Sequence, residues 1–191
     1  MVGSRDAAGF VLVGGRSSRM GQDKALLPFQ GAPLALHIAS QLYPVVDSVA
    51  FIGDPEKYRS LGTVIPDEFP HEGPVGGIVT ALRASRSNRN LIVACDLPGV
   101  RPETFARLLE ILENSAAQCI VPVTPDGRQQ VLCAAYTRDA LDPLERAILD
   151  GERRLTSAIR RLRVEFSQFE GSGWAVNVNT PADWEPFLQE R

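Results

Sequence analysis

Short apolar runs that stop abruptly at glycine, aspartate or proline recur along the chain, separated by segments whose apolar residues return every three or four positions. Gly9 to Val13 reads as a buried strand that breaks at Gly14-Gly15. Leu34, Ile38 and Leu42 have helical spacing, and Pro33 suits a first helical turn. A strand over Asp47 to Gly53 ends at Gly53-Asp54-Pro55, and a helical turn around Glu56 to Leu61 leads to a short strand at Val64 to Pro66. The same logic predicts a helix over Val75 to Ser85, a strand over Leu91 to Cys95, a helix over Pro102 to Asn114 and a strand over Cys119 to Val123. Strands alternating with helices predict an α/β chain with a mostly parallel sheet covered by helices, in which ligands gather at the carboxyl ends of strands.

Beyond Val123 the pattern is less regular. Val121 to Arg128 predicts a strand entering a turn, and Gln130 to Tyr136 a strand returning. Asp139 to Leu149 and Leu155 to Leu162 have helical spacing, with the basic turn Gly151-Glu-Arg-Arg154 between them. Alternation up to Asn179 predicts a short strand from Trp174, and Thr180-Pro181 then predicts a final helix, capped by Thr180 with Pro181 at its first position.

This topology brings three loops together above the sheet: Gly14 to Lys24, Pro66 to Gly77, and Asp96 to Pro98. The first is rich in glycine and carries Arg16, Arg19 and Lys24. Its backbone N–H groups can turn toward one concavity ringed by positive charge, which suits a polyphosphate. It is not a Walker loop, because Lys24 follows Gln22-Asp23 rather than a glycine, and the dinucleotide fingerprint G-x-G-x-x-G is absent. A solvated surface loop is the competing account. The second loop ends by opening a helix, so its glycines and free N–H groups suit a base and ribose, against a simple glycine-rich helix cap. In the third, Asp96 stands at the mouth of a buried strand, placed either to hold Mg²⁺ or to cap the following turn. Arg153 and Arg154 would grip an acceptor phosphate or the edge of a flat ligand, or remain solvated. His37 and His71 are given no chemistry.

The 191 residues, 44% hydrophobic and 23% charged, suit one globular domain with a substantial core. A net charge of −3 argues against a nucleic-acid partner, since positive charge is local to the first loop and to the arginines at 153–154 and 160–163. Three cysteines without C-x-x-C spacing suggest neither a disulfide framework nor a zinc site, and read as reduced core residues. Met1 to Ala8 lacks the apolar stretch of a signal peptide and no run of 18 apolar residues occurs, so a cytoplasmic protein with no membrane partner is expected.

The run L-x-G-G-x-S-x-R-M-G-x-D-K-x-L-L, read here as Leu12 to Leu27 with Val13 at its second position, resembles the nucleotide-binding signature of the molybdenum cofactor guanylyltransferases. Gly73-Pro74-Val-Gly-Gly77-Ile, Cys95-Asp96-Leu-Pro, Gly151-Glu-Arg-Arg and Asn177-Val-Asn179-Thr-Pro-x-Asp follow in the order of that family, from residue 10 to residue 184. The resemblance implies a three-layer α/β, Rossmann-like fold of the nucleotide-diphospho-sugar transferase type with a mixed sheet. It divides the single domain 1–191 into a nucleotide-binding part of about 9–123 and an acceptor-binding part of about 124–191. It further implies nucleotide contacts from Leu12, Val13, Gly14, Gly15, Arg16, Ser17 and Lys24, a nucleoside contact from Asp67, and a pocket shaped by Gly73, Pro74 and Gly77. Asp96 would bind Mg²⁺, Asn179 would orient ligand or metal-bound phosphate, and Arg19, Lys24 and Asp96 would carry the catalysis.

The implied reaction transfers GMP from GTP to the terminal phosphate of molybdopterin or its molybdenum form, with molybdoenzymes or cofactor-delivery proteins as candidate partners. Two alternatives stand beside it: Gly14-Gly15 and Gly73-Pro74 weigh against the first, and two departures, Val13 for the usual Ala and Gln130-Val131 for the usual His-Pro, motivate the second. The first is a CTP-dependent sister enzyme or a sugar- or polyol-phosphate nucleotidyltransferase, and the second is a non-catalytic nucleotide-binding module.

Overall fold

The computed structural model describes residues 6–14, 23–179, 183, 184 and 187. Strand β1 (Ala7–Val13) leads to the first loop, and after a one-turn 3-10 helix at Lys24–Leu26 a small ribbon of β2 (Pro28–Phe29) and β3 (Ala32–Pro33) precedes helix α1 (Leu34–Leu42). There follow β4 (Ser48–Gly53), α2 (Pro55–Tyr58), β5 (Val64–Pro66), α3 (Gly73–Ala84), β6 (Arg89–Ala94) and α4 (Pro102–Glu113). The last part holds β7 (Cys119–Val123), β8 (Cys133–Thr137), α5 (Leu141–Leu149), α6 (Leu155–Ala158) and β9 (Val164–Gln168).

The main sheet has seven strands in the order β5-β4-β1-β6-β8-β7-β9. β8 is antiparallel to both its neighbours, and every other pairing in the sheet is parallel. The sheet is therefore mixed and mostly parallel. Its period of two sorts β1 onto opposite faces: Ala7, Val11 and Val13 pack with residues of α1 and α4, whereas Ala8 and Phe10 pack with residues of α3, α5 and α6. Helices thus cover both faces, which makes three layers.

Register fixes what stands at the carboxyl edge. Val13 pairs with Gly53, Gly53 with Pro66, and Leu12 with Ala94. The ends of β1, β4, β5 and β6 are level, so Gly14, Asp67 and the Cys95-Asp96 pair leave the sheet side by side. The same sheet runs through the expected division near residue 123, since β8 is inserted between β6 and β7.

Three readings of the later chain need correction. Trp174 to Asn179 is not a strand: Gly173–Ala175 is a 3-10 turn, and the backbone after it is irregular. Its hydrogen bonds go to individual groups, with Gln130 Nε2 donating to the Ala175 carbonyl at 2.8 Å and Val178 N–H to the Asp96 carbonyl at 2.9 Å. The returning strand begins at Cys133 rather than Gln130, because the turn at 124–128 leaves only a bridge from Val123 to Gln129. β9, which periodicity did not predict, is an edge strand whose alternation is blurred by the exposed Phe166. The predicted helix beginning at Thr180 falls largely outside the described residues.

Candidate active site

A cleft of about 310 Å³ opens at the level strand ends and is lined by Leu12, Gly14, Asp23, Lys24, Asp67, Gly73, Pro74, Gly77 and Asp96, among others. The described ends of the first loop, Gly14 and Asp23-Lys24, therefore meet the second and third loops. Gly15, Arg16, Ser17 and Arg19 lie outside the described residues. Val13 is adjacent, but its side chain is fully buried in the core beneath, so it can offer the cleft only main-chain atoms.

The second loop is built by one buried hydroxyl and one carboxylate. Thr80 Oγ1 on α3 donates to Asp67 Oδ1 at 3.1 Å and accepts from Glu68 N–H, while Asp67 Oδ1 also accepts from Phe69 N–H at 2.9 Å. Asp67 thus both shapes the loop and faces the cleft. The chain then turns into α3 through Gly73, whose φ of +63° disfavours any side chain, and Glu72 at the helix N-cap makes no side-chain cap, leaving first-turn N–H groups without a capping acceptor. Gly77 permits close approach to β1, since a Cβ there would stand 3.2 Å from Leu12 Cδ2.

Outside the loop, Arg83 bonds to Glu68 and Glu145, each at 2.6 Å, and its guanidinium lies 4.9 Å from the Phe69 ring centre. Arg153 reaches back to Glu72 at 2.8 Å, a bond that holds the Glu72 carboxyl below the usual carboxylate range. Arg153 is therefore a prop of the second loop, a partnership that sequence reasoning did not supply.

Asp96 follows β6. Its Oδ1 is buried and has no hydrogen-bond partner, an expensive state for a carboxylate oxygen unless a cation or ligand completes it. The turn that carries Asp96 is pinned from two sides, by Val178 N–H on the Asp96 carbonyl and by His37 Nε2–H, which donates to the Pro98 carbonyl at 3.0 Å. Burial holds the His37 imidazole below its ordinary value, against the opposing pull of the Pro98 bond. The structural role read for His37 is thus a specific one. Cys95, also at the cleft, is no nucleophile: burial, reinforced by the Asp96 charge, pushes its thiol up to about 12. Cys119 and Cys133 are equally buried, with thiols pushed up to about 12.

Lys24 Nζ donates to Asn179 Oδ1 at 2.6 Å, so the irregular segment 175–179 touches the first loop through Asn179 and the third through Val178. Gln130, 6% exposed, anchors that segment through Ala175. Asp23 was overlooked although it stands beside Lys24 in the motif. Its Oδ1 accepts from Ala25 N–H at 3.0 Å, and its Oδ2 accepts from Tyr58 O–H at 2.6 Å and pairs with Lys57. Burial opposes its charge, but these donors outweigh the penalty and hold the carboxyl below its usual range.

The cleft at the level strand ends is lined by glycines and carries Lys24 and the incompletely partnered Asp96. The profile of the MobA-like NTP transferase domain matches residues 9–166. The chain belongs to that family. A probable molybdenum cofactor guanylyltransferase of Carboxydothermus hydrogenoformans is 31% identical over 187 residues, covering 94% of this chain and 93% of the relative. A molybdenum cofactor guanylyltransferase of Cupriavidus taiwanensis is 32% identical, covering 94% and 95%. Among solved structures, molybdopterin-guanine dinucleotide biosynthesis protein A of Archaeoglobus fulgidus superposes with a TM-score of 0.80 at 27% identity, over 94% of this chain and 96% of that one. A CMP-2-keto-3-deoxy-manno-octonic acid synthetase complexed with CTP, 17% identical with a TM-score of 0.78, shares the fold.

This MobA-like chain is accordingly a nucleotidyltransferase of Rossmann-like architecture. Among the described residues no helix is long and apolar enough to cross a membrane.

Proposed function

We propose that this nucleotidyltransferase transfers GMP from GTP to the terminal phosphate of molybdopterin, in its molybdenum-bearing form, to give the guanine dinucleotide cofactor and pyrophosphate. The observation that carries the reading is the convergence of Lys24 and Asp96, 72 positions apart in sequence, on one cleft that also holds Asp67 and the opening of α3. The names of the relatives supply the guanylyl group and the acceptor.

An oxygen of the acceptor phosphate attacks the α-phosphorus of GTP. The bond from that phosphorus to the oxygen bridging to the β-phosphate breaks, and pyrophosphate leaves with the electron pair. The acceptor brings its own nucleophile, so the protein contributes position and charge rather than a covalent intermediate, in keeping with the protonated Cys95 thiol. Lys24, with Arg19 from the signature, offsets charge growing on the departing pyrophosphate. Main-chain groups of Leu12, Val13 and Gly14 meet the phosphates, with Gly15, Arg16 and Ser17 of the signature as further phosphate contacts. Asp67, Gly73, Pro74 and Gly77 receive the nucleoside, and Asn179 orients Lys24.

Asp96 fits a Mg²⁺ ion, because its buried Oδ1 lacks a partner and a hard cation takes one or two carboxylates plus phosphate oxygens. When bound, such an ion would neutralise phosphate charge. Among the described residues no group of three or more metal-ligating His, Cys, Asp or Glu side chains occurs, which suits an ion shared with the nucleotide over one caged by protein. The product would pass to a molybdoenzyme or to a protein that delivers cofactor to one.

Calorimetric titration with GTP, CTP and ATP, each with Mg²⁺, tests the base. GTP should bind well above the other two, and Asp67→Ala should weaken it. Preference for CTP would move the chain to a cytidylyltransferase, and nucleotide binding with no NTP-dependent pyrophosphate release across acceptors would leave a non-catalytic nucleotide-binding module.

A further inference from the structure

Lysine is a flexible point charge, and one hydrogen bond from its tip to Asn179 does not by itself fix it. What fixes its base is the residue before it. Asp23 Oδ1 caps the one-turn helix Lys24–Leu26 through Ala25 N–H, and its Oδ2 is taken up by Tyr58 and Lys57 of α2. α2 is itself set at the end of β4, where Asp54 Oδ1 accepts from Glu56 N–H at 2.9 Å. The Tyr58 side chain is buried, its ring lying so close to Gly53 that a Cβ there would fall 3.1 Å from Tyr58 Cδ2.

The exit of the first loop is thus bolted to the rigid sheet edge through a phenol and a carboxylate. A second consequence follows from where Asp23 stands. It lines the cleft, where a bare carboxylate would repel a polyphosphate, and the Lys57 ammonium offsets that charge while the Tyr58 hydroxyl donates to the same oxygen.

We propose that Tyr58 is a positioning residue for nucleotidyl transfer, its hydroxyl acting through Asp23 to hold Lys24 at the cleft, with Lys57 as the accessory donor. This rests on the reading that Lys24 meets the departing pyrophosphate. Tyr58→Phe keeps the packed ring and deletes one hydrogen bond. Pyrophosphate release, measured with GTP, Mg²⁺ and molybdopterin, should fall about tenfold in kcat, the worth of one hydrogen bond to a charged group. The GTP Kd, read by calorimetry, should change less than about threefold, because the bond acts on the placement of one lysine.

The distinguishing measurement is the cycle with Lys24→Ala. If Tyr58 acts through Lys24, Tyr58→Phe costs little more in the Lys24→Ala background, whereas a purely structural loss repeats in full. A Lys24→Ala enzyme with unchanged turnover would sink the reading of the first loop itself. A crippled Lys24→Ala alongside an unimpaired Tyr58→Phe, or additive losses in the double variant, would overturn the positioning role alone. Should Tyr58→Phe lower the melting temperature enough to confuse the rates, Asp23→Asn repeats the test from the other side of the bond, with the same loss of kcat and the same non-additivity expected.

Discussion

The strand ends that line this cleft and the segment 175–179 tied to its Lys24 and Asp96 are made differently. On the sheet side Gly14, Asp67 and Asp96, proposed here to meet the nucleotide, leave the level ends of β1, β5 and β6, so the register of the strands places them. On the other side, segment 175–179 is irregular backbone held by single hydrogen bonds to Asp96, Lys24 and Gln130. The first inherits its precision from the sheet and the second from side chains. Substitutions should therefore hurt for different reasons: by removing chemistry on the sheet side, and by loosening placement on the other.

The largest effect is expected at Asp96. Asp96→Asn keeps the volume and leaves the backbone carbonyl that Val178 grips, so the fold should survive with little change in melting temperature. Turnover should fall on the order of 10³-fold, the several kcal/mol that a bound cation contributes to developing phosphate charge. The response to added Mg²⁺ should flatten. Pyrophosphate release titrated with Mg²⁺ reads both, and an Asp96→Asn enzyme with the original Mg²⁺ response would take Asp96 out of the metal site.

Asn179→Ala should cost less, about tenfold in kcat, because it frees the tip of Lys24 while the Asp23 anchor at its base remains. The GTP Kd should hold. A loss as deep as that of Lys24→Ala would instead mean that Asn179 itself touches the reacting phosphates, and the contrast between the strand ends and segment 175–179 would disappear.

How much of this was legible in the sequence follows the same division. Gly14, Asp67 and Asp96 could be picked out because each closely follows a strand whose end is marked by a glycine, a proline or a change of period, and Lys24 and Gly73 because one closes a glycine-rich loop and the other opens a helix. The parallel direction of β5, β4, β1 and β6 followed from the alternation of elements, but their order in the sheet did not. Asp23 was in plain view, yet its partners Lys57 and Tyr58 lie over 30 positions away on a helix of four residues, and no local pattern links them. Gln130 and Ala175 likewise meet only in three dimensions. The alternation Val176-Asn-Val-Asn179 imitated a strand, but the buried residues there, Ala175 and Val178, are three positions apart, and Val178 packs with Phe29 and Leu34 rather than within a ladder.

Arg153 tests the same contrast. Paired to Glu72 at the surface, it should matter little: Arg153→Ala should alter kcat and the GTP Kd by no more than about threefold, and raised salt should mute even that. A large rise in KM for molybdopterin with GTP affinity unchanged would return Arg153 to the acceptor and show that the ion pair with Glu72 gives way when acceptor binds.

The smallest effect concerns the pin under the Asp96 turn. The His37 imidazole titrates below its ordinary value, chiefly because burial disfavours its charged form. Between the folded value and about 6.5, the unfolded chain binds more protons at this position than the folded one, so stability rises with pH through that window and is lost as the solution is acidified. Asp23, whose carboxyl is depressed, adds its own loss only lower, beneath the ordinary carboxylate value near 4. His37→Gln can still offer an amide N–H to the Pro98 carbonyl but cannot titrate. The melting temperature of the unsubstituted chain should drop by roughly a few degrees between pH 7 and pH 5, and that of His37→Gln by less, while the two should converge in their further fall near pH 4. Parallel curves from pH 7 to pH 5 would mean that the imidazole bonds to Pro98 without its protonation being coupled to folding.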